Sequence, residues 1–177
     1  MSKIQLYIAV TLDGYIARSD GSLDYLHALP NPDQTDHGYR AFFQDVGTVV
    51  MGRKTYEEIL GFGVAWPYAN CQTYVITSNH NYEPSTEATA LLVEPLLAAL
   101  NKLKSESEKH VWIVGGGQVI TTLLNKSLID EMILSIIPII LGEGISLFPG
   151  NPRETSFNLI KAEPFATGVV NLTYRRA

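Results

Sequence analysis

Short apolar runs alternate with amphipathic segments along almost the whole chain, and that order limits the fold more than any other feature. Lys3 to Val10 puts Ile4, Leu6, Ile8 and Val10 on one face, the period-two signature of a strand. Val46 to Met51, Thr73 to Thr77 and Val111 to Val114 are apolar without alternation, as strands covered on both faces are. Glu131 to Leu141, Phe157 to Lys161 and Val169 to Arg175 follow as later strands. Between them, Asp36 to Asp45 spaces Tyr39, Phe42, Phe43 and then Val46 along one helical face. Lys54 to Leu60 opens with Thr55-Tyr56-Glu57-Glu58, the spacing of a capping box. Pro95 to Lys104 begins at a proline and carries Leu96, Leu97, Leu100 and Leu103, and Gln118 to Asn125 follows three glycines. Strand–helix alternation predicts an α/β domain with a mainly parallel sheet, with room for one further short strand before the third helix. The consecutive strands at the end predict an antiparallel edge. Ligands of such sheets sit beyond the C-terminal ends of the strands.

Composition narrows the function. The 177 residues suit a single domain, and no repeat or linker interrupts them. With 13 basic and 18 acidic side chains the net charge is −5, which argues against a nucleic-acid partner. The lone Cys71 excludes an intrachain disulfide, and His27, His37, His80 and His110 show no metal-ligand spacing, so no metal is expected. The opening MSKIQLYIAV lacks the apolar core of a secretory signal. The longest apolar run, Ile136 to Leu141, is far short of the ~20 residues of a membrane span. A soluble, cytoplasmic protein without membrane partners is the expectation.

Three strand ends carry candidate chemistry. The second strand runs into Met51-Gly52-Arg53-Lys54-Thr55 at a helix start, where free backbone N–H groups and two cations suit a phosphate. An ordinary turn with solvated basic residues fits the same segment. Val111 to Val114 runs into Gly115-Gly116-Gly117-Gln118; three glycines there are costly in chain entropy, and either a tight turn or a close ligand explains them. Thr11-Leu12-Asp13-Gly14-Tyr15-Ile16-Ala17 is either a plain turn or a loop covering a flat ligand. Asp36 lies three residues before Tyr39 and shares its face. It either caps the helix or is partly buried, in which case its pKa rises and it can hold or deliver a proton.

Together these segments resemble a known superfamily. Val49-Val50-Met51-Gly52-Arg53-Lys54-Thr55-Tyr56-Glu57, Ile113-Val114-Gly115-Gly116-Gly117-Gln118-Val119 and Leu147-Phe148-Pro149 are similar to segments of dihydrofolate reductases. The Thr11 to Ala17 segment is closer to a sister group, the reductase domain of bacterial riboflavin biosynthesis and its stand-alone relatives. The resemblance covers nearly the whole chain. It implies a three-layer α/β/α domain around an eight-stranded, mostly parallel sheet with antiparallel C-terminal strands. It implies NADPH as hydride donor. Gly52, Arg53, Lys54 and Thr55 would meet the 2′-phosphate and the pyrophosphate. Thr77 and Ser78 would flank the adenine. Gly115, Gly116, Gly117, Gln118 and Val119 would cradle the diphosphate and nicotinamide side, with a cis peptide at Gly115–Gly116. Ala9 would touch the nicotinamide. Asp36 falls on the acid that binds the pterin ring and is the catalytic candidate. Thr11, Tyr15, Tyr39, Arg40 and Phe43 are candidates for the substrate pocket.

The chain also departs from the folate pattern. Leu29-Pro30 leads into Asn31-Pro32-Asp33-Gln34-Thr35, where a Pro-Trp pair normally precedes the acid. Tyr68-Ala69-Asn70-Cys71-Gln72 lacks the arginine that grips the folate glutamate. The expected activity is therefore hydride transfer to a small pteridine-like or pyrimidine-like heterocycle. Two alternatives stand beside it. One is reduction of 5-amino-6-(5-phosphoribosylamino)uracil, with Arg40 or Arg18 meeting the phosphate. The other is a non-catalytic NADP-binding module. The apolar Ile136 to Leu141 run and the final strands leave a homodimer open.

Overall fold

The computed structural model describes residues 2–93 and 95–177. Among the described residues ten strands and five helices follow one another: β1 (Ile4–Thr11), β2 (Tyr15–Ala17), α1 (Asp24–His27), α2 (Tyr39–Gln44), β3 (Val46–Gly52), α3 (Arg53–Leu60), β4 (Gln72–Ile76), β5 (Thr89–Leu92), α4 (Leu96–Glu106), β6 (His110–Gly115), α5 (Gly117–Asn125), β7 (Glu131–Ile137), β8 (Ile145–Ser146), β9 (Phe157–Pro164) and β10 (Val170–Arg176). Eight strands form one sheet in the order β5-β4-β3-β6-β1-β7-β10-β9, and β2 pairs with β8 in a small second sheet. From β5 to β7 every pairing is parallel; β10 runs antiparallel to both β7 and β9. This is the dihydrofolate reductase-like arrangement that the sequence resemblance implies.

Helices cover both faces because each central strand is apolar on both. On one face Ile4, Leu6, Val50, Val111 and Ile113 pack against Leu96 and Leu100 of α4 and Ile120, Leu123 and Leu124 of α5. On the other, Val49, Met51, Val75 and Trp112 pack against Tyr56 and Ile59 of α3, with Phe42 and Phe43 of α2 alongside. Burying each such side chain contributes on the order of 1.5–3 kcal/mol. Leu97 of α4, assigned by spacing to the packed stripe, is instead exposed.

Three sequence expectations are corrected. The helix expected over Asp36 to Asp45 begins only at Tyr39, because His37 (φ 52°) and Gly38 (φ 83°) take left-handed backbone. The capping box at Thr55 does not form. Helix α3 starts two residues earlier, after Gly52, and has no side-chain cap. The strand expected over Glu131 to Leu141 ends at Ile137, before Pro138, whose missing N–H cannot continue a ladder.

Candidate functional site

The C-terminal ends of β1, β3, β4 and β6 open on one side of the sheet into a cleft of about 970 Å³. Its two ends are built differently.

At one end the wall is backbone. Helices α3 and α5 begin directly at the tips of β3 and β6, with Gly52 and Gly116 in the N-cap positions and no side-chain cap on either. Their first N–H groups are therefore the donors that a helix start leaves without an intrahelical partner. The Gly115–Gly116 peptide is cis, as the resemblance implies, and Gly115 has φ 146°, which disfavours any side chain. The two helix starts pack closely. A Cβ on Gly52 would come within 3.0 Å of Val119 Cγ2, and one on Gly116 within 3.2 Å of Thr55 Oγ1. A Cβ on Gly117 would lie 2.5 Å from the Ser146 carbonyl oxygen and 2.8 Å from Pro149 Cδ. Arg53 and Lys54 bring positive charge to this end. Arg53 pairs with Glu57 at 3.6 Å and its guanidinium lies 5.6 Å from the Tyr82 ring centre. Ala9, Gly52, Arg53, Lys54, Thr55, Thr77, Ser78, Gly115, Gly116, Gly117, Gln118 and Val119 all line the cleft, although they come from four separate stretches of chain.

At the other end the wall is side chain. Ala9 of β1 pairs in register with Ser135 of β7, which pairs with Asn171 of β10. Ser135 Oγ donates to Asn171 Oδ1 at 2.6 Å. Asn171 Nδ2 donates to the His37 carbonyl at 2.7 Å, and Tyr7 Oη donates to the same oxygen at 3.3 Å. The His37 ring meets Thr167 Oγ1 at 2.8 Å and stands edge-on to Phe165. The loop that carries Asp36 is thus tied to β1 and β10. Burial raises the Tyr7 phenol above its ordinary value of 10.0, so the hydroxyl stays protonated. Tyr7 stacks on Tyr39, and Tyr39 on Phe43, with Trp112 edge-on to the latter two.

Asp36 lines the cleft, but it is exposed and already serves its own loop. Its carboxylate accepts the Gly38 N–H and the Arg40 N–H, both at 3.0 Å. These bonds, the one from Arg40 foremost, hold its pKa below the ordinary 3.8. The raised pKa expected of a buried acid is absent; Asp36 is an ionised acceptor at neutral pH.

The substrate-pocket candidates divide. Tyr39 lines the cleft, whereas Thr11, Tyr15, Arg40 and Phe43 do not. Thr11 is buried and organises the loop after β1, donating to Asp13 at 2.6 Å and accepting the Tyr15 N–H at 3.0 Å. Tyr15 sits on β2 opposite Ser146. Arg40 sends its side chain to solvent, and Phe43 packs on Tyr68 and Trp112. Tyr7, His37, Ser135 and Trp112 also line the cleft, and sequence reasoning missed them. The only available signal was that Tyr7 shares the β1 face of Ala9.

A family model for the RibD C-terminal domain matches residues 2–171. The chain belongs to the RibD C-terminal domain family. It is 38% identical over 176 residues to the uncharacterised Bacillus subtilis protein YwjB, covering 99% of this chain and 98% of that one. A Shewanella sp. PV-4 crystal structure, provisionally named a riboflavin biosynthesis protein, superposes with a TM-score of 0.90 at 34% identity, covering 99% of both chains. Enterococcus faecalis dihydrofolate reductase, solved in complex with NADP(H) and RAB-propyl, superposes at TM-score 0.69 and 20% identity over 98% of this chain and 96% of that one. That likeness shows the shared fold of the RibD C-terminal family and the folate reductases. Among the described residues no cluster of His, Cys, Asp or Glu could hold a metal, and no helix is long and apolar enough to cross a membrane.

Proposed function

We propose that this protein is an NADPH-dependent reductase that transfers a hydride to a small, flat nitrogen heterocycle. The observation that carries the reading is the backbone end of the cleft. Two uncapped helix starts and two cations converge there, and this donor set fits a dinucleotide that carries a diphosphate and a further phosphate. Arg53 and Lys54 hold the 2′-phosphate, the N–H groups of α3 and α5 hold the diphosphate, and Thr77 and Ser78 flank the adenine. NADPH supplies the hydride when bound. The chain's part would be positioning: Ala9, which lines the cleft between its two ends, would face the nicotinamide of a bound NADPH. Asp36, ionised, accepts N–H groups of the acceptor ring and fixes its orientation. Solvent at the exposed rim supplies the proton.

Membership of the RibD C-terminal family supports a reductase over an inert nucleotide-binding module. Titration with NADPH, followed by quenching of the cleft residue Trp112, tests the reading. Saturable quenching that weakens in an Arg53→Ala variant is expected; no quenching in the wild-type protein overturns it. A homodimer accords with Leu159 and Ile160 exposed on the edge strand β9 and with Ile140, which is 70% exposed. Sedimentation as a monomer at micromolar concentration would remove that part.

A further inference from the structure

We propose that the substrate end accepts an uncharged ring with an apolar or neutral polar substituent, and rejects substrates carrying a phosphate or carboxylate. The inference rests on the reductase reading above and names the substrate class of the same site. It starts from where the charges lie. Among the described residues that line the cleft, the Lys and Arg side chains are Arg53 and Lys54. Both belong to the start of α3, at the backbone end, where the cofactor's own phosphates take them.

Among the described residues, the other end offers an anion no Lys or Arg. Tyr25, Ile137 and Val169 form a small buried cluster with Leu23, Leu26 and Leu29 packed against it, and those three leucines face the cleft. The polar groups there are the neutral hydroxyls of Tyr7 and Ser135 and the ring of His37. Its fixed charges are both negative. Asp36 stands on the loop before α2, and Glu58 of α3 faces Gly21 across the cleft, its Oε1 3.2 Å from where a Gly21 Cβ would stand. The two arginines that sequence position offers for a phosphate are engaged elsewhere. Arg18 is paired with Asp24 at 2.5 Å on the exposed surface, and Arg40 points to solvent; neither lines the cleft. A phosphate placed among three leucines and two carboxylates would lose part of its hydration, meet no Lys or Arg, and face two like charges, which is unfavourable for a partly desolvated anion.

A matched pair of probes tests this: 5-amino-6-ribosylaminouracil with and without its 5′-phosphate, titrated into protein saturated with NADP+. The unphosphorylated compound is expected to bind at least about tenfold more tightly, since one unpaired charge facing like charges costs on the order of 1.4 kcal/mol or more. Equal or tighter binding of the phosphorylated compound overturns the proposal. A Leu26→Arg variant, which places a cation among the leucines, is expected to reverse the preference. If it retains NADP+ binding and the wild-type preference, the assignment of this end is wrong. Failure of wild-type protein to bind NADP+ at all, read from Trp112 quenching, would instead overturn the underlying reading and this proposal with it.

Discussion

The backbone end and the side-chain end of the cleft are specified at different levels. At the backbone end, glycine identity, helix starts and two cations are local features of two short segments, Gly52 to Thr55 and Gly115 to Val119. At the other end, the contacts that tie the Asp36 loop to the sheet join residues far apart in sequence. Tyr7, Ser135 and Asn171 meet only because β1, β7 and β10 lie side by side in one register. A site built from local backbone survives in sequence as a motif. A site built from strand register leaves no contiguous trace.

The sharpest way to break the comparison is to spoil the backbone end sterically. Gly117→Val drives side-chain atoms into the Ser146 carbonyl and Pro149, a clash with backbone and a rigid ring. Overpacking of this kind costs about 1–3 kcal/mol, and displacement of α5 should abolish NADPH quenching. Unchanged thermal unfolding and cofactor affinity would show that this junction is slack. Next in size is Arg53→Ala. It should weaken NADPH by about 30-fold, corresponding to about 2 kcal/mol for a charge-assisted contact, and leave NADH affinity nearly unchanged. Equal losses for both dinucleotides would move Arg53 away from the 2′-phosphate.

At the side-chain end, effects should be smaller and should spare the cofactor. Tyr7→Phe removes one of the two donors to the His37 carbonyl. Denaturant unfolding should report a loss of about 1 kcal/mol, with NADPH binding intact. A parallel loss of NADPH affinity would mean that the two ends are coupled. The smallest effect belongs to Asp36. Its carboxyl is depressed below 3.8 in the folded state by the Arg40 and Gly38 N–H groups, so its stabilisation is fully present above that value. It fades as pH falls through the lower folded-state pKa. Unfolding midpoints measured down this acidic range should drop more for the wild-type protein than for Asp36→Asn. Parallel curves would show that the carboxylate does not hold the loop.

Much of the fold was legible because β1 and β10 alternate, the longer helices space their apolar residues, and β3, β4 and β6 are short apolar runs. The mainly parallel sheet and its antiparallel end followed from that order, and the three layers from the family resemblance. What escaped was short or decided by partners. Strands β2 and β8, three and two residues long, pair only with each other and show no periodicity. Asp36 lines the cleft but does not start the helix as expected, because the left-handed turn at His37 and Gly38 delays α2 until Tyr39. A left-handed histidine has no sequence signature. It is held by Tyr7 and Asn171, one near the start of the chain and the other near its end.

That last bond has a consequence for the growing chain. Asn171 reaches the His37 carbonyl across 134 residues of sequence. During synthesis the glycine junctions and their helices are complete once residue 125 has emerged, whereas the Asp36 loop waits for the final strand before it can be fastened. A chain stopped before β10 would retain the residues of the backbone end of the cleft and lack the Asn171 bond that fastens the Asp36 loop. Under the proposed function, truncations that remove β10 should therefore act on the substrate, although that strand lies far in sequence from the Asp36 loop it fastens.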